Sequence, residues 1–221
     1  MTAPFELVAC LELKEMLGRT AWDERGLLTG IEHVPADSIY YHMHSSFLRS
    51  RYLRAPYPSD FATWAATQAQ DPILAERLAM IDPFEFNDLE RLREVLLAIL
   101  DDHLQRRETT PRVAHGEPFH FMQSTIIDVP TGERPRTLGE FGDALGRVDI
   151  SVIYYHMFRP VRDSGRVTDL AQWLERDLDR PALAARVRRL NRYVRGLEGL
   201  RADLLALVQE AAGGERQMPP A

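Results

Sequence analysis

The pentapeptide Ile-Tyr-Tyr-His-Met occurs twice in this chain, at residues 39–43 and again at residues 153–157. Further matches follow each copy in the same order and with similar spacing. Collinear matches of this kind indicate an internal duplication. The sequence therefore predicts one module that is built twice. The matched segments are Asp60–Trp64 with Asp169–Trp173, Pro72–Arg77 with Pro181–Arg186, and Leu89–Ala98 with Leu197–Ala206.

Each copy is predicted to open with a strand or a short hairpin. Apolar residues alternate with polar ones from Phe5 to Leu13, which is the period of a half-buried strand. Phe119 and Phe121 begin the second copy in the same way. Pro130–Gly132 predicts a hairpin turn, and Gly18 is expected to serve as the turn in the first copy. Because two strands are only marginally stable alone, we expect the strands of both copies to join in one sheet.

About four helices are predicted to follow the strands of each copy, with the repeated pentapeptide on the second of them. Asp60 and Asp169 are predicted as N-caps of the third helix. The predicted fold is α+β, mostly α, with tandem modules in a pseudo-two-fold arrangement. The modules are predicted at residues 1–108 and 118–212, with a linker at 109–117 and a disordered tail at 213–221.

Bulk properties restrict the class of protein. A hydrophobic fraction of 45% is ordinary for a globular chain, and a net charge of -6 argues against nucleic acid as a partner. The only cysteine, Cys10, cannot form an internal disulfide, which fits a reducing compartment. No apolar run approaches the roughly 20 residues of a membrane helix, and no signal peptide is recognised. We therefore expect a cytoplasmic protein with no membrane partner.

Three motifs of the first copy together resemble a known family. These are Ser38-Ile-Tyr-Tyr-His-x-His44, then Asp60-Phe-Ala-x-Trp64, then Leu74-Ala-x-Arg-Leu78. They are similar to the uncharacterised bacterial and archaeal domain-of-unknown-function family 5752, over most of the chain. The second copy departs from the pattern, since Val152 replaces the serine and Phe158 replaces the second histidine. The resemblance implies the module boundaries and no activity.

His42 and His156 are the polar residues that both copies retain on the second helix. Helical spacing assigns Ile39, Tyr40 and Met43 to the buried stripe and leaves His42 at its edge. The favoured interpretation is structural, because an imidazole can donate from one nitrogen and accept at the other. Asp60 and Asp169 are the natural partners. The functional interpretation is a His–Asp pair in a cleft, where a histidine can act as acid or base.

A metal site is the third interpretation. His42 and His44 lie about 200° apart around a helix, which is poor geometry for one ion. His42 and His156, with Asp60 and Asp169, are chemically reasonable ligands for zinc or iron. No His-Glu-x-x-His pattern is present, and the one Glu-x-x-His, Glu117-Pro-Phe-His120, includes none of these residues. We therefore expect no metal and no cofactor.

The sequence favours a non-catalytic binding or regulatory module for a protein or small-molecule partner. The alternative is an enzyme, such as a metal-assisted hydrolase, that uses His42 with Asp60. Residues 186–195 form a basic stretch, and the equivalent part of the first copy, residues 76–94, is acidic. Two further alternatives are therefore a homo-oligomer that assembles through these complementary charges, and binding of an anion by the basic stretch. The expected binding residues are Tyr41, His42, His44, Asp60, Trp64, Tyr155, His156, Asp169 and Trp173.

Overall fold

The structure is a computed structural model that describes residues 3–49, 51, 56–106, 116–158, 170–190 and 196–215. It is mostly helical, with one two-stranded sheet, so the predicted α+β class is confirmed. Asp169, nearly all of the predicted linker and the chain after Glu215 lie outside the described residues. No helix in the described ranges is long and apolar enough to cross a bilayer.

Each predicted module begins with one long strand and continues as helices. Among the described residues the first has six helices and the second has five, more than the four predicted. The elements of the first are β1 (Val8–Ala21), α1 (Glu24–His33), α2 (Ala36–Met43), α3 (Ser45–Arg49), α4 (Asp60–Thr67), α5 (Pro72–Ala79), a 3-10 turn (Pro83–Glu85) and α6 (Leu89–Gln105). Those of the second are β2 (Phe119–Pro130), α7 (Leu138–Arg147), α8 (Ser151–Met157), α9 (Leu170–Arg176), α10 (Pro181–Arg188) and α11 (Leu197–Glu215).

The sheet pairs β1 with β2, which confirms that the strands of both copies join. The pairing is antiparallel and continues beyond the strand ends, since the Leu7 and Phe5 amides donate to the carbonyls of Glu133 and Pro135. The predicted hairpin turn at Gly18 is wrong. Gly18 lies within β1 with φ +66°, and a glycine of positive φ inside a strand is typical of a bulge.

The chain forms two compact units, and each contains residues of both sequence copies. The first unit combines the described residues before Glu12 with residue 51 and those from Ile127 onward. The second combines Glu12–Arg49 with the described part of residues 54–126. The start of β1 thus belongs with α7–α11, and the start of β2 with α1–α6. The compact units and the predicted modules therefore divide the chain differently.

In the second unit, Phe119 and Phe121 of β2 complete a core made by α1, α2, α4, α5 and α6. Phe121 packs against Gly30 of α1 so closely that a Cβ there would lie 2.1 Å from the ring. Gly30 is therefore required by packing, because the aromatic ring occupies the space of a side chain.

In the first unit, Phe5 has the corresponding role. Its ring centroid lies 5.1 Å from Trp173 of α9 and 6.0 Å from Phe141 of α7. All three side chains are buried. A predicted tail residue, Gly213, lies within α11, which continues to Glu215.

Candidate functional site

The repeated pentapeptide of the first copy lies on α2, whose residues from Ser38 to Met43 are all buried. The sequence placed His42 at the edge of a buried stripe, but the residue is only 2% exposed. The reason is tertiary: the rings of Phe61, Phe119 and Phe121 pack around the imidazole, with centroids 4.6 to 6.2 Å away. The helix therefore has apolar neighbours on the side that its own sequence leaves polar.

Both ring nitrogens of His42 have partners. Nδ1 lies 2.9 Å from Oδ2 of Asp60, the partner expected from the sequence. Nε2 accepts a hydrogen bond of 3.0 Å from the backbone amide of Met122, in β2. Because an accepting nitrogen carries no proton, the ring is neutral with its hydrogen on Nδ1, donated to the carboxylate. His42 thus links α4 to strand β2.

Asp60 is available to His42 because another residue caps α4. Ser59, not Asp60, is the N-cap, and its hydroxyl accepts from the amide of Ala62. The predicted capping role of Asp60 is therefore wrong. Its carboxylate instead accepts from Nη2 of Arg49, at 2.8 Å to Oδ1 and 2.7 Å to Oδ2.

Arg49 is the member of this cluster that the sequence did not reveal. Its guanidinium carbon lies 4.5 Å from the ring centroid of Tyr41, a cation–π contact. Its Nη1 lies 4.0 Å from Oε1 of Glu12. Arg49 stands on the short helix α3, with no repeated motif around it, so the duplication offered no signal for it.

The electrostatics favour a neutral His42 and an ionised Asp60. Burial lowers the pKa of His42, and this outweighs the hydrogen bond and charge of Asp60, which act to raise it. Burial acts to raise the pKa of Asp60, but the hydrogen bond from His42 and the charge and hydrogen bonds of Arg49 outweigh it and lower that pKa. Burial also raises the pKa of Tyr41.

These pKa directions predict that the protein loses stability in acid. When folding lowers the pKa of a histidine, its neutral form stabilises the folded state fully above the ordinary pKa of 6.5. This stabilisation is lost as the pH falls below 6.5. The stabilisation that Asp60 contributes is likewise lost as the pH falls below 3.8, the ordinary pKa of an aspartate. We expect His42→Gln to flatten the dependence of the unfolding free energy on pH between 6.5 and 5, measured by urea denaturation. A slope for His42→Gln equal to that of the parent protein would contradict the assignment.

The remaining candidate residues of the first copy, His44 and Trp64, make other contacts. His44 donates from Nε2 to the carbonyl of Pro83 at 3.1 Å and stacks on Tyr40. The indole Nε1 of Trp64 donates to the carbonyl of Glu117 at 3.1 Å. His44 therefore holds the 3-10 turn, and Trp64 holds the chain just before β2.

The second copy repeats two of these contacts in the other unit. Nε2 of His156 accepts from the amide of Val8 at 3.0 Å, and Nε1 of Trp173 donates to the carbonyl of Ala3 at 3.0 Å. Tyr155 differs from Tyr41, because its hydroxyl donates to Asp128 at 3.0 Å. Asp169, the expected partner of His156, lies outside the described residues.

The metal interpretation does not fit this geometry. Nε2 of His42 and Nε2 of His156 each accept a backbone hydrogen bond, so neither lone pair is directed at an ion. Nδ1 of His42 is committed to Asp60. Within the described ranges no three His, Cys, Asp or Glu side chains are grouped to hold a metal.

Two arginines of the basic stretch are paired with acidic neighbours of their own unit. Arg186 forms two hydrogen bonds with Glu210, of 2.9 and 2.7 Å, and Arg188 pairs with Glu175. Arg192 and Arg195 fall outside the described residues. Because Arg186 and Arg188 are already paired, these two side chains offer little attraction for an anion.

Comparisons with known proteins identify a family and a fold. A family model described as "Family of unknown function (DUF5752)" matches residues 2–209. The solved structure of OrfY from Thermoproteus tenax is similar, with a TM-score of 0.71 and 24% identity over 96% of this chain and 98% of that chain. At this identity the likeness shows the fold alone. No curated protein matches the chain significantly.

Proposed function

Because this chain belongs to the DUF5752 family, which has no described function, we propose its role from geometry: it is a non-catalytic binding module. In this proposal the repeated polar motif anchors strands and performs no chemistry. The binding surface then lies elsewhere on the helices.

One observation carries the proposal: the imidazole of His42 is enclosed and both of its nitrogens are bonded. A general base must reach the proton that it removes. Nε2, the nitrogen opposite the carboxylate, would be the reactive atom, but it accepts from the amide of Met122. Catalysis would therefore require β2 to leave the histidine, and the ring would lose a hydrogen bond before it met a substrate.

The matched contacts of the two units support a duplicated module in which the helices of each copy pack against the start of the other copy's strand. Met122 donates to His42 as Val8 donates to His156. Trp64 and Trp173 likewise each bind a carbonyl just before the strand of the other copy. In both units a histidine and a tryptophan thus hold the backbone of the incoming segment. Retention of His and Trp in both copies is then explained by strand anchoring.

The alternative is an enzyme that uses the His42–Asp60 pair. The 2.9 Å hydrogen bond from Nδ1 to the carboxylate is the arrangement that orients a catalytic imidazole. The enzyme alternative predicts a His42 ring that small reagents can reach, whereas the non-catalytic proposal predicts a ring that they cannot reach.

Acylation of histidines with diethyl pyrocarbonate separates the two functions. We expect His42 to react at least about tenfold more slowly than the exposed His33 and His120, because its nitrogens are enclosed. Peptide mass spectrometry over a time course measures each rate. Asp60→Asn tests the anchor further, since loss of the carboxylate should raise the His42 rate. A His42 as reactive as His33 in the native protein would refute the non-catalytic assignment.

A further inference from the structure

A groove lies between α1 and α6 of the second unit. Its volume is about 320 Å³, near the lower limit of small-molecule sites. Two leucines contribute apolar surface, and the other lining residues are polar. The lining residues are Arg25, Leu28, Thr29, Asp101, Leu104 and Gln105.

The groove presents opposite charges that do not neutralise each other. Arg25 is exposed, and it has no ion pair or hydrogen bond with any described residue. Asp101 accepts one hydrogen bond of 2.7 Å, from the side-chain amide of Gln105, and its second oxygen remains for another donor. A guanidinium binds a carboxylate in bidentate fashion, and a carboxylate accepts well from an ammonium group. The two charges therefore suit one ligand that carries both signs.

We propose that this groove binds a free aliphatic α-amino acid through its two charged groups. Arg25 holds the ligand carboxylate, Asp101 holds the ammonium group, and Leu28 with Leu104 contacts the aliphatic side chain. The hydroxyl of Thr29 supplies a further polar contact. This names the ligand class of the binding module proposed above and rests on that proposal.

The other sequence copy lacks this combination. The alignment that pairs Ile39 with Ile153 places Gly139 at the position of Arg25. The alignment that pairs Leu89 with Leu197 places Gln209 at the position of Asp101. Both charges are therefore specific to the first copy, which predicts one ligand per chain.

Titration of the full chain with L-leucine tests the site by backbone amide NMR. We expect saturable shifts confined to α1 and α6, with one ligand per chain. Two analogues test the charge requirement: 4-methylpentanoate lacks the ammonium group, and 3-methylbutylamine lacks the carboxylate. Each should bind at least about tenfold more weakly, since a charge-assisted hydrogen bond contributes more than about 1.4 kcal/mol.

Variants separate the groove from general charge effects. Arg25→Gln and Asp101→Asn should each weaken leucine binding at least about tenfold, whereas Arg19→Gln, which makes the same charge change on β1, should bind like the parent. Absence of saturable shifts, or equal binding by Arg25→Gln and the parent, would overturn the inference. The slow acylation of His42 is measured independently, so a groove that fails to bind leucine leaves the non-catalytic assignment standing.

Discussion

His42→Ala is expected to lower the free energy of unfolding by about 3–4 kcal/mol, the range for a large buried deletion that also loses polar partners. The substitution leaves a cavity among the rings of Phe61, Phe119 and Phe121. It also removes the acceptor of the Met122 amide and one partner of the Asp60 carboxylate. A buried donor without an acceptor costs more than the net value of the hydrogen bond, because it is also desolvated.

Urea denaturation followed by far-UV circular dichroism measures this loss at pH 7.5, where His42 is neutral in both states. The matched control is His33→Ala, which removes an exposed imidazole whose contacts with described residues, to the carbonyl of Thr29 and the carboxylate of Glu32, lie within its own helix. We expect a change within about 0.5 kcal/mol for that variant. A loss below about 1 kcal/mol for His42→Ala would show that the anchor is unimportant.

Gly30→Ala is expected to destabilise the fold by about 2 kcal/mol, although alanine favours a helix over glycine by about 1 kcal/mol. The added Cβ would lie 2.1 Å from Cζ and 2.2 Å from Cε2 of Phe121. Phe121 is 1% exposed and touches the rings of His42 and Phe119. The ring therefore has little room to move away, and the clash outweighs the helix preference.

A second substitution should repair the clash. At the matched positions of the other copy the chain has Ala144 and Leu7, both buried, in place of Gly30 and Phe121. We expect Gly30→Ala with Phe121→Leu to be more stable than the sum of the single changes predicts, by at least about 1 kcal/mol in a double-mutant cycle.

The control for the glycine is Gly146→Ala in α7, where a Cβ meets nothing within 4 Å. That variant should be slightly more stable than the parent, by about 0.5 kcal/mol or more, because only the helix preference remains. Additive energies for Gly30 and Phe121 would argue against direct contact as the source of the effect.

Local patterns predicted the parts of the fold that depend on local physics. The matched segments Leu89–Ala98 and Leu197–Ala206 carry leucines three and four residues apart, which share a face of a helix, and both segments lie in long helices, α6 and α11. The His42–Asp60 hydrogen bond was also expected, because two polar residues kept in both copies required partners. Gly18 was expected to form a turn, but a glycine accommodates a turn and a bulge alike, so its presence did not distinguish them.

The residues that the sequence misjudged depend on contacts from distant parts of the chain. Arg49 joins the cluster because Ser59 caps α4 and leaves the Asp60 carboxylate accessible. His42 is enclosed because Phe119 and Phe121 lie across α2, although about 80 residues separate them along the chain. Helical periodicity describes a single helix and contains no information about such neighbours.

The sequence by itself determined that this chain repeats one helical pattern and that each repeat carries a histidine requiring hydrogen-bond partners. Only the tertiary structure decided which backbone groups those histidines bind. His42 accepts from the strand of the second copy, and His156 accepts from the strand of the first. The physical reason is that strand pairing joins residues far apart in sequence, and spacing within either copy cannot specify that partner.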